Sequence, residues 1–178
     1  KMKQLGIVCG IHYQALHNNA IYNDGKKYDC PKSEKVEVQV FLTGGDLEKK
    51  KVTQMSLQRA KSRAIRQIRI FQNEITAMFT KVAKETNTNS LNTRVRVDIE
   101  KAIERCRTVT LKEMKQYGIC DDVNVCVSSS YPMTMTDLVS TIMHESLHYT
   151  CKVNRGYGWI DMCTRDEHDV FRRLGEVW

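Results

Sequence analysis

Apolar positions recur at three- and four-residue steps from about 52 to 85. Ala60, Ala64, Ile68, Phe71, Ile75, Met78, Phe79 and Val82 carry the pattern. That is the period of a helix with one side buried, so the spacing predicts one long amphipathic helix over 52–85. Elsewhere the period is two. Val36, Val38 and Val40 alternate with polar residues and lead into Gly44-Gly45, which predicts a strand closed by a turn. Residues 5–9 read as a short strand and 10–34 as loop. Asn87–Ser90 breaks the long helix, 94–98 reads as a brief strand, and 99–116 reads as a helix with Ile103, Cys106 and Met114 inward. Gly118 is the predicted helix stop. Val123, Val125 and Val127 then alternate with Asn124, Cys126 and Ser128, which predicts a strand over 123–128. Further helices are expected over about 136–151 and 165–174. Helices and short strands mixed in this way define an α+β class. With 178 residues and no repeat or linker, residues 1–178 are read as a single domain.

The helix expected over 136–151 has two chemically different sides. Leu138, Val139, Ile142, Met143 and Leu147 form an apolar surface. Asp137, Ser140, Thr141, His144, His148 and Cys151 form a polar stripe. Within it, residues 144–148 read His-Glu-Ser-Leu-His. Two histidines four apart lie about 40° apart around a helix axis, so both rings lean to one side. Neutral imidazole is a good zinc ligand, and such a pair can share one ion. Glu145 follows the first histidine and can reach a water on that ion without being a ligand. The bland reading is two surface histidines beside a solvated glutamate. With five histidines in the chain, chance supplies the full H-E-x-x-H pattern roughly once in a hundred such sequences, which weighs against it.

A catalytic zinc ordinarily has three protein ligands and one open position. The third ligand is sought downstream, among Asp161, Asp166, Glu167, His168 and Asp169. Thr164-Arg165-Asp166-Glu167 has the form of a capping box, with Thr164 as N-cap and Glu167 reaching back to it. That gives Glu167 a structural task and leaves His168 as the expected ligand, with Glu167 or Asp161 as alternatives. Tyr157, between Gly156 and Gly158, is a candidate to face the cleft and stabilise an oxyanion.

Charge and cysteines adjust this picture. The formal charge is +7, much of it in Lys49–Lys51 and in Arg59, Lys61, Arg63, Arg66 and Arg69. A basic stripe of this kind is either a solvated helix face or a surface for nucleic acid or acidic protein. No aromatic residues interleave it, since Phe71 and Phe79 belong to the apolar stripe. No run approaches the roughly 20 apolar residues of a membrane span. The seven cysteines contain no C-x-x-C pair, which argues against an all-thiolate zinc site. Cys9/Cys30, Cys120/Cys126 and Cys151/Cys163 would suit local disulfides with Cys106 left free, or all seven stay reduced. The chain begins Lys1-Met2-Lys3, as a trimmed fragment would, so a targeting segment removed from its front remains an open expectation.

On His144-Glu145-x-x-His148, the strand before it and the acidic and histidine cluster after it, the last 60 or so residues resemble the zincin superfamily of zinc metallopeptidases. The resemblance implies a zincin-like small mixed sheet whose edge strand, about 123–128, runs beside the active-site helix and pairs with extended substrate. Arg165-Asp166-Glu167-His168 with Phe171 is similar to the SprT-like proteases, which use a His near a helix start. Thermolysin-like members would favour Glu167, and an aspzincin arrangement would use Asp161. The extended metzincin motif is absent. The expected function is zinc-dependent endopeptidase action on a protein or peptide by a monomer, with Glu145 as general base. A secreted, toxin- or effector-like protease stands ahead of an intracellular one. The rival expectations are a basic nucleic-acid-associated protease or binding module, and a non-enzymatic, disulfide-stabilised interaction domain.

Overall fold

A computed structural model describes residues 48–87 and 92–177. The strands expected at 5–9 and 36–42, the loop 10–34 and the Cys9/Cys30 pair lie outside the described residues. The chain is α+β, as the alternation of periods predicts. Its elements are β1 (Lys50–Lys51), α1 (Gln54–Ile70), α2 (Gln72–Glu85), β2 (Arg94–Val97), α3 (Ile99–Thr108), β3 (Thr110–Lys112), β4 (Gly118–Cys120), β5 (Val125–Ser128), β6 (Pro132–Met133), α4 (Met135–Leu147), β7 (Cys151–Asn154), β8 (Trp159–Asp161) and α5 (Thr164–Val177). Among the described residues, no helix is long and apolar enough to cross a membrane.

The stripe over 52–85 forms two helices, not the single one expected. Phe71 stands between them with φ −98° and ψ 16°, outside the helical well. The apolar period survives the break, because Ile68 and Ala64 are buried before it and Ile75, Phe79 and Val82 after it. The two halves have different partners: α1 packs on α4 and α3, and α2 on α5 and β2. Periodicity reports which side is buried but not against what, so a redirection of the stripe leaves no mark in it. The start of α1 is set locally. The Ser56 N–H donates to Thr53 Oγ1 at 3.2 Å, and the Thr53 N–H donates to Ser56 Oγ at 2.9 Å, which satisfies two otherwise orphaned donors.

The expected helix 99–116 stops at Thr108. Asp98 caps its start, accepting from the Lys101 N–H at 2.9 Å. Val109 then turns extended, and Thr110–Lys112 pairs in parallel with β5. Gly118 ends no helix; it opens β4. The resulting three-stranded mixed sheet has the order β3-β5-β4. The strand expected at 123–128 therefore occupies the centre, still packed on α4, and the edges belong to β3 and β4. An antiparallel sheet β2-β7-β8 and the pair β1-β6 complete the strands.

Thr134 and Asp137 cap α4 reciprocally, at 3.0 and 3.2 Å. Its apolar side, Leu138, Val139, Ile142, Met143 and Leu147, is buried as the sequence predicts. It ends at Leu147, with His148 as C-cap and Tyr149 in the left-handed region at φ 61°, short of the expected 151. The last helix runs through Gly175 to Val177. Phe171 meets Phe79 edge-on at 6.1 Å, and Arg173 bridges Glu85 at 2.7 Å, so α5 is fastened to α2 by packing and by charge.

All five described cysteines are free. In the β4–β5 ladder Ile119 faces Cys126 and Cys120 faces Val125. Directly opposed residues share a side of the sheet, so Cys120 and Cys126 point to opposite sides. Cys151 is buried within β7 while Cys163 is exposed ahead of α5. Neither expected pair forms, which removes the cross-links on which the disulfide-stabilised alternative rested for this part of the chain.

Candidate metal centre

His144 stands in the last turn of α4, His148 caps it, and His168 comes from α5. Their ring centroids are 5.0 Å apart for His144 and His148, 5.4 Å for His144 and His168, and 4.9 Å for His148 and His168. One ring nitrogen from each lies within 4.8 Å of the others, and the Nε2 atoms of His144 and His148 are 3.3 Å apart. Three imidazoles converging this closely can hold a metal ion. Phe171 packs on His144 and His148 at 4.5 and 4.8 Å between centroids, forming an apolar wall for the site.

Glu167 does not join the cluster of nitrogens, and it does not cap α5 either. The helix begins at Thr164, and the Glu167 N–H donates to the Cys163 carbonyl at 2.9 Å, so Thr164 is inside the first turn. Both carboxylate oxygens of Glu167 are committed elsewhere. Oε2 accepts from His148 Nδ1 at 2.7 Å and Oε1 from the Tyr149 N–H at 2.9 Å, with the side chain almost wholly buried. A carboxylate accepts and does not donate, so His148 Nδ1 is the donor in this bond and Nε2 is the nitrogen turned toward His144. This is the usual way a carboxylate orients a ligating imidazole. The Tyr149 bond also explains a left-handed tyrosine at this position. Its N–H is held by Glu167, and its carbonyl accepts from Lys101 Nζ at 2.8 Å.

Burial, reinforced by the adjacent His148 and His168, pushes the His144 pKa down to about 4. At neutral pH its ring is uncharged, and one of its two nitrogens has a lone pair to offer.

The Glu145 carboxyl lies on the other side of the cluster, half-buried beneath β4. A Cβ on Gly118 would stand 2.7 Å from Glu145 Cγ, 2.8 Å from Thr141 Cγ2 and 2.9 Å from Glu145 Oε1. Real Cβ atoms do not approach this closely, so β4 can lie on this face of α4 only because residue 118 has no side chain. Cys120 follows on the same strand. A ligand atom each from Cys120, Glu145 and His148 lies within 4.8 Å of the others. Burial, then the hydrogen bond to Glu145, raises the Cys120 thiol to about 12, so without a metal it is a neutral thiol. Neither Gly118 nor Cys120 was singled out for the site from the sequence. One reads as a helix stop and the other as half of a disulfide; their proximity to Glu145 comes from the packing of β4 on α4.

The structure thus brings together His144, Glu145, His148, Glu167 and His168. It does not bring in Asp161, exposed at the end of β8, or Tyr157, which is 97% exposed on the β7–β8 turn. Of the basic residues of α1, Arg59 and Arg69 are exposed, while Lys61, Arg63 and Arg66 are part-buried. Lys61 Nζ donates to the Arg107 carbonyl at 3.0 Å, which fastens α1 to the end of α3. Comparison of the chain with protein-family models, with curated proteins and with solved structures gave no match.

Proposed function

We propose that the chain is a zinc-dependent endopeptidase of zincin type, with His144, His148 and His168 as metal ligands and Glu145 as general base. One observation carries the reading: three imidazoles converge on one point, the middle one braced from behind by a buried carboxylate, with a second carboxyl beside them. The donor set fits the ion. His144, His148 and His168 would hold the ion through three imidazole nitrogens and would leave room on it for a water. When bound, the ion supplies Lewis acidity to that water and to the scissile carbonyl. Glu145 takes the water proton as the oxygen bonds to the carbonyl carbon, and returns it to the amine nitrogen as the C–N bond breaks. Glu167 keeps His148 in the productive tautomer, and Phe171 excludes water from one flank. His168 is preferred to the alternative Glu167 as the downstream ligand, since the Glu167 oxygens are turned to His148 Nδ1 and the Tyr149 N–H.

The test combines metal content with cleavage of a quenched-fluorescent peptide library. The wild-type chain is expected to hold one zinc and to cleave. Glu145→Gln is expected to keep the zinc and lose about 10³-fold or more in turnover, within the range of a missing general base. His168→Ala is expected to lose the zinc. Undiminished cleavage by Glu145→Gln sinks the mechanism, and zinc retained at wild-type affinity by His168→Ala sinks the ligand set.

A further inference from the structure

Arg105 is the most heavily engaged buried polar side chain among the described residues, and the chemistry proposed above does not use it. It lies on the inner side of α3 and is only 4% exposed. Its guanidinium donates to four main-chain carbonyls on two separate segments. Nε reaches the Ser146 carbonyl at 3.2 Å and Nη2 the Glu145 carbonyl at 3.1 Å. On the other side Nη2 reaches the Asp121 carbonyl at 2.8 Å and Nη1 the Asp122 carbonyl at 2.9 Å.

Each half of this arrangement has its own logic. The last four carbonyls of a helix have no partner within it, and the helix end carries partial negative charge. Arg105 meets two of those carbonyls of α4 with a permanent positive charge, and one of the two belongs to Glu145 itself. The other pair belongs to the turn between β4 and β5. That turn is shaped by Asp121, whose Oδ1 accepts from the Val123 and Asn124 N–H groups. The turn follows β4, which leaves no room for a Cβ at Gly118 beside the Glu145 side chain. One rigid planar group therefore spans the helix turn that carries Glu145 and the strand that covers it.

We infer that Arg105 is the positioning residue of the Glu145 side of the site, setting the gap between the Glu145 carboxyl and β4. This rests on the proposed role of Glu145. A lysine keeps the charge but, with one compact ammonium, does not bridge two segments with a fork of donors. A misplacement of about 1 Å near reacting groups costs on the order of 10²-fold in rate.

The experiment uses the zinc-loaded full chain and its cobalt-substituted form. Arg105→Lys is expected to bind one ion with an unchanged cobalt spectrum, because the imidazoles are untouched. Its kcat falls about 10- to 100-fold at nearly constant KM, and the acidic limb of its pH profile moves. Should that variant fail to fold, the exposed turn supplies a second. Asp121→Ala loosens the turn that presents two of the carbonyls and lowers kcat several-fold. Asp121→Asn, which can still accept from the same N–H groups, restores it. Wild-type kcat and pH profile in Arg105→Lys overturn the inference, as does a loss of metal in step with the loss of rate, which would mark a general structural prop. No recovery in Asp121→Asn overturns it too. If Glu145→Gln also cleaves at the wild-type rate, it is the reading of Glu145 that has failed.

Discussion

The two sides of the site are built in different ways. On the histidine side, two of three rings come from positions four apart at the end of α4 and its C-cap, and the third arrives on α5 one residue after Glu167, the carboxylate that braces His148. On the glutamate side Glu145 is equally local to α4, but everything that confines it comes from elsewhere: Gly118 and Cys120 from β4, and Arg105 from α3. The first side is held by the hydrogen bonds of Glu167 to His148 and to the Tyr149 N–H. The second is held by main-chain carbonyls and by the absence of a side chain. Metal binding and turnover should therefore separate under mutation.

The widest separation is between His168→Ala, which removes the ion and with it turnover, and Glu145→Gln, which removes turnover alone; joint loss in both would erase the distinction. Next in size is Glu167→Gln. Losing a carboxylate that orients a ligating imidazole weakens metal binding by about 10- to 100-fold, and competition with a zinc chelator measures it. A smaller loss would mean that Phe171 packing suffices to hold His148. Gly118→Ala should act on the other side. The added methyl drives β4 off α4 at an overpacking cost of about 1–3 kcal/mol in urea denaturation, lowering kcat while the zinc stays bound. Unaltered stability and rate would show that β4 yields freely.

The smallest effect concerns the metal-free protein. His144 has a pKa of about 4 when folded and an ordinary value near 6.5 when unfolded. Between these values the unfolded chain binds a proton that the folded chain refuses, so stability falls as pH drops from about 6.5 towards 4. The urea midpoint of the metal-free chain should decline over that window, and His144→Gln should flatten the decline. An equal slope in both would remove His144 as its source.

Much of this was legible in the chain. The apolar side of α4, the polar stripe with its two histidines, the strand at 94–97 and the α+β class all follow from short-range periodicity, which is a one-dimensional property. The capping pattern that points away from Glu167 in the sequence does not form; Glu167 accepts instead from His148 and Tyr149, contacts across 19 and 18 positions. Thr164-x-x-Glu167 satisfies a capping pattern, but a buried imidazole N–H and a main-chain N–H of a left-handed residue leave more to satisfy than an exposed helix start does.

Local geometry suffices to put His144, Glu145 and His148 together at the end of α4, because a helix converts spacing into direction with no outside help. Only packing in space settles which downstream residue meets them, where the long apolar stripe breaks, and that β4 brings Gly118 and Cys120 to Glu145. Those outcomes depend on which buried donors and carbonyls remain unsatisfied once the elements pack, and such partners are chosen by proximity in space between residues that no local pattern connects.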